Sequence, residues 1–272
     1  MPLIKKLKFY DRRVFYLVIT PTPDMGENKI YDVSFKCPFN CIISGSSGSG
    51  KTNKILEFLE NKDIICNENF YKVHYFFSMW QTTYSEMKSR KLVDNFIEGI
   101  PDIDNLMTML DYNSSSSESL SSSHQLLIFD DLLSEIVSRK DNLMSQLMTV
   151  FGHHKNLSII LVSQMLFKPG DYKYSILTEN VHYLFLFKSP RNPSKIIHLA
   201  KQISPYDIEF IVKSYKEATK DPYSYLLFDF RQSTPEEIRI RSKIFLSEGI
   251  MVVHINEKIK IYMCVHILSK II

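Results

Sequence analysis

Apolar residues in this chain gather in short, nearly unbroken runs, and polar residues return between them at intervals that suit helices. The runs are CIIS before Gly45, VHYFFS at Val73–Ser78, QLLIFDDL at Gln125–Leu132, LSIILVSQ ending at Gln164, and VHYLFLF at Val181–Phe187. A run without polar alternation is what a strand covered on both faces requires, so each predicts a buried strand of a parallel sheet. Between them the spacing predicts a helix over Asn53–Asn61, with an apolar stripe at Ile55, Leu56 and Leu59, and another over Tyr84–Phe96. A turn at Gly99–Asp102 starts a further short helix. Helical segments follow over Leu133–His154, with Leu143, Leu147 and Val150 on one face, then over Ile196–Gln202 and Tyr206–Thr219. A last strand pair, SYLLFDF and EEIRIRSKIF, closes the pattern near Leu246. This alternation predicts a three-layer α/β fold with a mainly parallel central sheet.

The flanks read differently. Residues 1–35 mix basic and aromatic residues ahead of the turn-rich PTPDMGEN, which reads as an N-terminal extension or edge hairpin. Their basic run, Lys5, Lys6, Lys8, Arg12 and Arg13, could touch phosphates but more commonly forms a solvated face. The core spans 36–246, interrupted at 113–123 by the tract NSSSSESLSSS, too polar to pack and expected to be a disordered surface loop. The tail 247–272 alternates like strand but is broken by Lys and Glu, and its sequence assigns it no role.

Chemistry concentrates where the first run ends. CIISGSSGSGKT, Cys41 to Thr52, reads as a strand, a Gly/Ser turn and a helix start, and it fits the phosphate-binding loop G-x-x-x-x-G-K-[ST]. A loop of Gly45, Ser46, Ser47, Gly48, Ser49 and Gly50 can take conformations closed to bulkier residues, so successive N–H groups converge on phosphate oxygens. The dipole of the following helix favours the same anion. Lys51 would reach the β- and γ-phosphates, and the Thr52 hydroxyl would ligate Mg²⁺. A flexible linker of this composition is not normally bracketed by a buried strand and an amphipathic helix.

QLLIFDDL ends in two aspartates, at the strand end where ligands bind in open α/β sheets. Asp130 would hold Mg²⁺ opposite Thr52, usually through water, and Asp131 would orient or deprotonate the attacking water. Gln164 ends another apolar strand, where it would sense the γ-phosphate or the lytic water, or else be a plain exposed strand end. Arg191 follows in a loop at the same end of the sheet.

Composition narrows the setting more than the chemistry. A chain of 272 residues is one large domain or a domain with appendages. A net charge of +3 permits a nucleic-acid partner without arguing for one. Cys37, Cys41, Cys66 and Cys264 show no C-x-x-C spacing, which argues against zinc and for free thiols in a reducing compartment. Neither a signal-peptide core nor a run of membrane-spanning length is present, so an intracellular protein away from membranes is expected.

Exclusions then sort the nucleotide machines. The guanine-reading N-K-x-D of GTPases has no match after a late strand; Asn61-Lys62-Asp63 directly follows the first helix. The ABC signature is approached at Leu120–Gln125, but that stretch runs straight into the aspartate strand. A small-molecule kinase remains open, with Arg191 acting on the phosphates. The layout is that of the ASCE class, RecA-like P-loop proteins in which an extra strand separates the phosphate-loop strand from the aspartate strand.

Across about 35–245, the ordered set GSSGSGKT, VHYFFSMWQ, NFIEGIPD, LLIFDD, HHKNLSIILVSQ, FKSPRNPSKIIHLAKQISP and YLLFDFRQSTPEEIRIRSKIF resembles the DNA-packaging ATPases of the FtsK–HerA superfamily. The resemblance is to the branch carried by Polinton/Maverick elements, virophages and large DNA viruses, poxviruses among them. It implies Lys51 and Thr52 on MgATP, Asp130 on the metal, Asp131 as the acidic catalytic residue and Gln164 as the polar sensor. Asp131 departs from the Glu common in related motors, with Glu135 as the fallback. Arg191 is the candidate arginine for a neighbouring subunit's γ-phosphate; capping a helix or pairing within its own chain is the alternative.

The function implied is an ATP-hydrolysing, DNA-stimulated motor that moves double-stranded DNA into a viral capsid without regard to sequence. It would work as a homo-oligomeric ring at a capsid vertex, inside the host cell where virions assemble. Two other readings stay open: a replicative DNA pump or helicase of the same superfamily, and a non-hydrolysing, nucleotide-binding structural component.

Overall fold

The apolar runs become the middle of one sheet. The computed structural model describes residues 15–18, 29–111, 124–139, 143–151, 156–164, 179–191, 193–249, 251–254 and 261–265. In chain order the strands are β1 (Phe15–Val18), β2 (Lys29–Asp32), β3 (Asn40–Ser44), β4 (Phe70–Phe77), β5 (Asn95–Glu98), β6 (His124–Asp130), β7 (Leu157–Ser163), β8 (Tyr183–Phe187), β9 (Tyr225–Asp229), β10 (Ile240–Ser242), β11 (Met251–Val253) and β12 (Ile261–Val265). The helices are α1 (Lys51–Ile65), α2 (Thr82–Ser89), α3 (Ile103–Asp111), α4 (Leu133–Ser138), α5 (Leu143–Gln146), α6 (Ser194–Ile203) and α7 (Ile208–Ala218). A π-helical turn, Leu147–Phe151, continues α5.

Among the described residues these strands form a 12-stranded sheet in the order β2-β1-β12-β11-β10-β9-β8-β3-β7-β6-β4-β5. Every pairing from β8 to β5 is parallel. Every pairing from β8 outward to β2 is antiparallel. Parallel neighbours need crossover connections, commonly helical, whereas antiparallel ones can be joined by short turns. The central part is therefore the layered α/β core, and the antiparallel part is a wing attached to it. β7 lies between β3 and β6, the separation that the ASCE layout requires.

Burial on both faces explains the unbroken runs. Within β3, Cys41 and Ile43 join one core cluster with Ile55, Phe58 and Leu59 of α1, while Ile42 faces the other. In β6, Leu126 and Ile128 point to the first cluster, and Leu127 and Phe129 to the second. The second cluster is capped by Leu106 of α3, Ile136 of α4, Leu143 of α5, Leu199 of α6 and Ile211 of α7. Each such side chain taken fully out of water contributes about 1.5–3 kcal/mol.

Three expectations change. The helix expected over Tyr84–Phe96 stops at Ser89, and Asn95–Glu98 pairs in parallel with His74–Phe77 as the edge strand β5. Tyr84 and Met87 satisfy the helical period, but Lys91 takes a left-handed φ of 54° and turns the chain back. A four-residue edge strand, half exposed, carries no apolar run to announce it. α1 runs from Lys51 to Ile65, beyond both ends of the expected Asn53–Asn61, and its last residue still reaches the core. In EEIRIRSKIF only Ile240–Ser242 is strand; Glu236–Ile238 is a 3₁₀ turn, and Lys243 leaves the strand with a φ of 54°.

At the flanks, β1 and β2 are an antiparallel pair, and β11 and β12 join them to the wing. The serine tract, the basic run at Lys5–Arg13, residues 152–154 and the Val150 side chain lie outside the described residues.

The wing is fastened by a buried ion pair. Arg241 of β10, 1% exposed, donates from Nη2 to Asp229 Oδ2 of β9 at 2.9 Å and from Nη1 to the Val33 carbonyl at 3.0 Å. Removing one partner of such a pair strands the other charge in a dry interior, at a cost of about 3–5 kcal/mol. Asp229→Ala should lower the unfolding free energy by that amount in urea titration. An unchanged midpoint would show that the pair does not fasten the wing.

Candidate active site

The parallel register brings several strand ends to one level. β3 and β7 pair Ser44 with Ser163, β6 and β7 pair Asp130 with Val162, and β4 and β6 pair Phe77 with Asp130. The segments that follow these strands therefore open into one crevice, as the strand-end rule for α/β sheets expects.

The loop 45–50 turns tightly out of β3. Gly45 N–H donates to the Ser163 carbonyl at 3.2 Å, which carries the β3–β7 ladder one residue into the loop. A Cβ on Gly45 would lie 2.6 Å from Phe187 Cβ and 2.6 Å from Ser49 Oγ, so only glycine fits. Gly50 enters α1 with a φ of 92°, a conformation that L side chains rarely adopt. The Ser49 hydroxyl is buried against Gly45 without a hydrogen-bond partner.

Lys51, first residue of α1, crosses the loop and donates to the carbonyls of Gly45 at 2.9 Å and Ser46 at 3.0 Å. Burial pulls its pKa down, while the charges of Asp131 and Asp130 push it back up. One turn on, Lys54 pairs with Glu248 at 2.7 Å, and Glu248 accepts from the Tyr225 hydroxyl at 2.7 Å. The start of α1 is thereby tied to the start of β9.

Asp130 ends β6 at 1% exposure, and three hydroxyls meet on its Oδ2: Tyr75 at 2.7 Å, Tyr84 at 2.9 Å and Thr52 at 3.3 Å. Burial drives its carboxyl above the ordinary aspartate range; the hydrogen bonds from Tyr75, Tyr84 and Thr52 pull against that, and Asp131 adds repulsion. Tyr75 and Tyr84 pack with ring centroids 4.9 Å apart, and Phe96 and Trp80 back them. A hydroxyl and a carboxylate side by side are hard oxygen donors. That set suits Mg²⁺, which takes one or two protein ligands and completes its shell with phosphate and water.

The remaining candidates are spread around this centre. Asp131 is exposed, with a φ of 56°, and its N–H donates to the Val162 carbonyl at 3.3 Å. The left-handed turn faces its side chain away from the core that Asp130 enters. Gln164 directly follows the end of β7 and is exposed. Glu135 is exposed in the first turn of α4. Arg191 stands exposed in the turn after β8 and is not brought into contact with the loop among the described residues. Neither tyrosine of the Asp130 clamp was anticipated. Tyr75 lay inside an apolar run and Tyr84 on a helix, and only the aspartate ending the neighbouring strand β6 gives them a polar task.

Residues 29–181 match the sequence model of the Poxvirus A32 protein family. The chain is 30% identical over 135 residues to the DNA packaging protein OPG160 of Variola virus, covering 47% of each protein. The same protein of isolate Human/India/Ind3/1967 matches with the same 30% identity. The chain thus spans about half the length of the curated relatives it matches. Among solved structures, it resembles the genome packaging NTPase B204 from Sulfolobus turreted icosahedral virus 2 in complex with ATP-gammaS, at TM-score 0.47 and 16% identity, covering 75% of this chain and 96% of that one. It also resembles the cytoplasmic domain of the Thermomonospora curvata Type VII secretion ATPase EccC, at TM-score 0.44 and 12% identity, covering 98% of this chain and 30% of that one. These structural likenesses are weak, and the fold stands on the chain's own topology.

The clamp on Asp130 predicts a pH-dependent stability. A hydrogen bond to a charged group contributes about 1.5–3 kcal/mol. Because burial raises the folded pKa, ionising Asp130 costs stability as pH rises through that pKa, and the two phenols limit the loss. Tyr84→Phe and Tyr75→Phe should each be less stable than the parent by that amount at neutral pH. The deficit should shrink as pH falls through the folded pKa, above the ordinary aspartate range, because the buried carboxyl takes up its proton there. Urea unfolding across pH measures it, and a deficit independent of pH would assign the loss to packing instead.

Proposed function

The chain belongs to the Poxvirus A32 protein family, and on that premise we propose that it is an ATP-driven motor that moves double-stranded DNA into a viral capsid. The observation that carries the reading is the meeting of the Thr52 hydroxyl with the buried Asp130 carboxylate, beside a lysine laid across a glycine-pinned loop. The printed name of the Variola virus relatives, DNA packaging protein, supports the choice of substrate.

In this reading Lys51 exchanges the Gly45 and Ser46 carbonyls for the β- and γ-phosphates of ATP. Thr52 and Asp130 hold Mg²⁺, which when bound neutralises charge on the phosphate oxygens. Asp131, carried outward by its left-handed turn, orients the attacking water and accepts its proton. Gln164, just past the end of β7 beside the Asp130 strand, holds the same water or the γ-phosphate. Its side chain can both donate and accept, which suits either task. Arg191 completes the site of the next subunit in a homo-oligomeric ring, which couples hydrolysis in one subunit to grip in another.

Residues 36–246 form the motor core, flanked by 1–35 and 247–272. DNA is gripped through its phosphates irrespective of sequence, and the ring docks on capsid protein at a vertex, at intracellular sites of virion assembly. Within the family we place the chain beside the Polinton/Maverick and virophage branch.

Phosphate release with and without duplex DNA tests the motor. Lys51→Ala should lose both ATP binding and turnover. Asp131→Asn should keep Mg²⁺-dependent ATP binding and lose turnover; full turnover there, with loss in Glu135→Gln, transfers the catalytic role to Glu135. Turnover that duplex DNA leaves unchanged would count against a translocating motor.

Arg191 has its own test. An arginine supplied in trans contributes about 10³- to 10⁵-fold in rate. Arg191→Ala should therefore bind ATP and barely hydrolyse it. Mixed with Lys51→Ala, it should regain activity at interfaces that pair an intact loop with an intact arginine. A flat rate across mixing ratios, with mixed assembly verified, would place Arg191 in its own chain.

A further inference from the structure

One exposed aromatic residue lies on the phosphate loop without any part in the machinery above. Tyr223 sits in the turn between α7 and β9, 68% exposed, with a left-handed φ of 61°. A bulky residue in that conformation is an outlier that the surroundings must hold in place. Here the Ser224 hydroxyl donates to the Asp221 carbonyl at 2.5 Å, and Tyr225 immediately after is buried with its hydroxyl on Glu248. The ring lies against the backbone of Gly50: a Cβ there would be 3.2 Å from Tyr223 Cδ1 and 3.3 Å from its Cβ.

Topology says which end of a nucleotide this ring would meet. β9 runs antiparallel to β8, with Tyr225 opposite Phe187, and β8 pairs with β3 on the side away from β7. Tyr223 therefore stands on one flank of the phosphate loop, while Asp130 and Gln164 stand on the other. A triphosphate with its terminal phosphate toward Asp130 runs across the loop with its nucleoside end toward Tyr223.

We propose that Tyr223, held by the turn over Gly50, is the platform on which the nucleobase of a bound nucleoside triphosphate stacks. This rests on the reading of 45–52 as a phosphate site. Stacking recognises the π-face that every base carries, so the platform favours purines for their area and separates adenine from guanine little.

The test is equilibrium binding by calorimetry, with Mg²⁺, of ATP, GTP and inorganic tripolyphosphate to the full chain. The parent should bind ATP and GTP alike, and both more tightly than tripolyphosphate. Base stacking on an aromatic side chain is worth about 5- to 150-fold in affinity. Tyr223→Ala should weaken ATP and GTP by that factor and leave tripolyphosphate unchanged, while Tyr223→Phe stays near the parent. Tyr223→Gly, which accepts the left-handed φ, should lose the same selectivity with the turn intact. Equal losses for ATP and tripolyphosphate in both the Ala and Gly variants, or no loss of ATP, would overturn the platform. A parent that binds neither ATP nor tripolyphosphate overturns the phosphate site itself. A parent that binds both equally leaves the phosphate site standing and removes the platform alone.

Discussion

Placing β7 between β3 and β6 is the constraint from which the site follows. Because those three strands are parallel and in register, Ser44, Ser163 and Asp130 fall within a residue of the same level. The loop after β3, the polar end of β7 and the aspartates after β6 must then share one rim. That register is enforced from both sides, since each strand sends alternate side chains into two separate cores. A slip of one residue would exchange Ile42 with Ile43, and Phe129 with Ile128, between those cores, and would carry Asp130 off the rim.

Electrostatics at the rim is a balance between burial and hydrogen bonding. Lys51 and Asp130 are both driven toward neutrality by desolvation, and each is answered by groups supplied by the fold. For Lys51 these are loop carbonyls and two carboxylates; for Asp130 they are three hydroxyls from β4, α2 and α1. The clamp thus joins three elements of the core to one oxygen atom, leaving Oδ1 outside those three bonds.

Most of the central core was legible in the sequence, because two-sided burial writes itself as unbroken apolar runs at β3, β4, β6, β7 and β8. The phosphate loop was legible because only glycine fits where Gly45 meets Phe187. What escaped was whatever depends on partners distant in sequence. β5 is short and half exposed, and its identity comes from pairing with His74–Phe77. The phenols of Tyr75 and Tyr84 acquire a role only once β4 lies beside β6. Tyr223 meets Gly50 only because the fold brings the start of β9 back to the phosphate loop, which no local pattern announces. Gln164 was named from its strand-end position and the resemblance, and Arg191 as a candidate from its loop; both are exposed in the segments after β7 and β8.

The wing has a consequence for the order in which the protein is made. β1 pairs with β12, so that Leu17 lies opposite Cys264 and nearly the whole chain separates the two partners. Contacts this distant in sequence form slowly, because the loop entropy must be spent before any pairing rewards it. During synthesis β3, β7, β6 and β4 are all available well before β12 exists, so the crevice can assemble on the ribosome while the edge of the sheet stands open. β1 cannot find its β12 partner until Ile261–Val265 has emerged. The rim is thus a product of early folding, and closure of the wing comes after it.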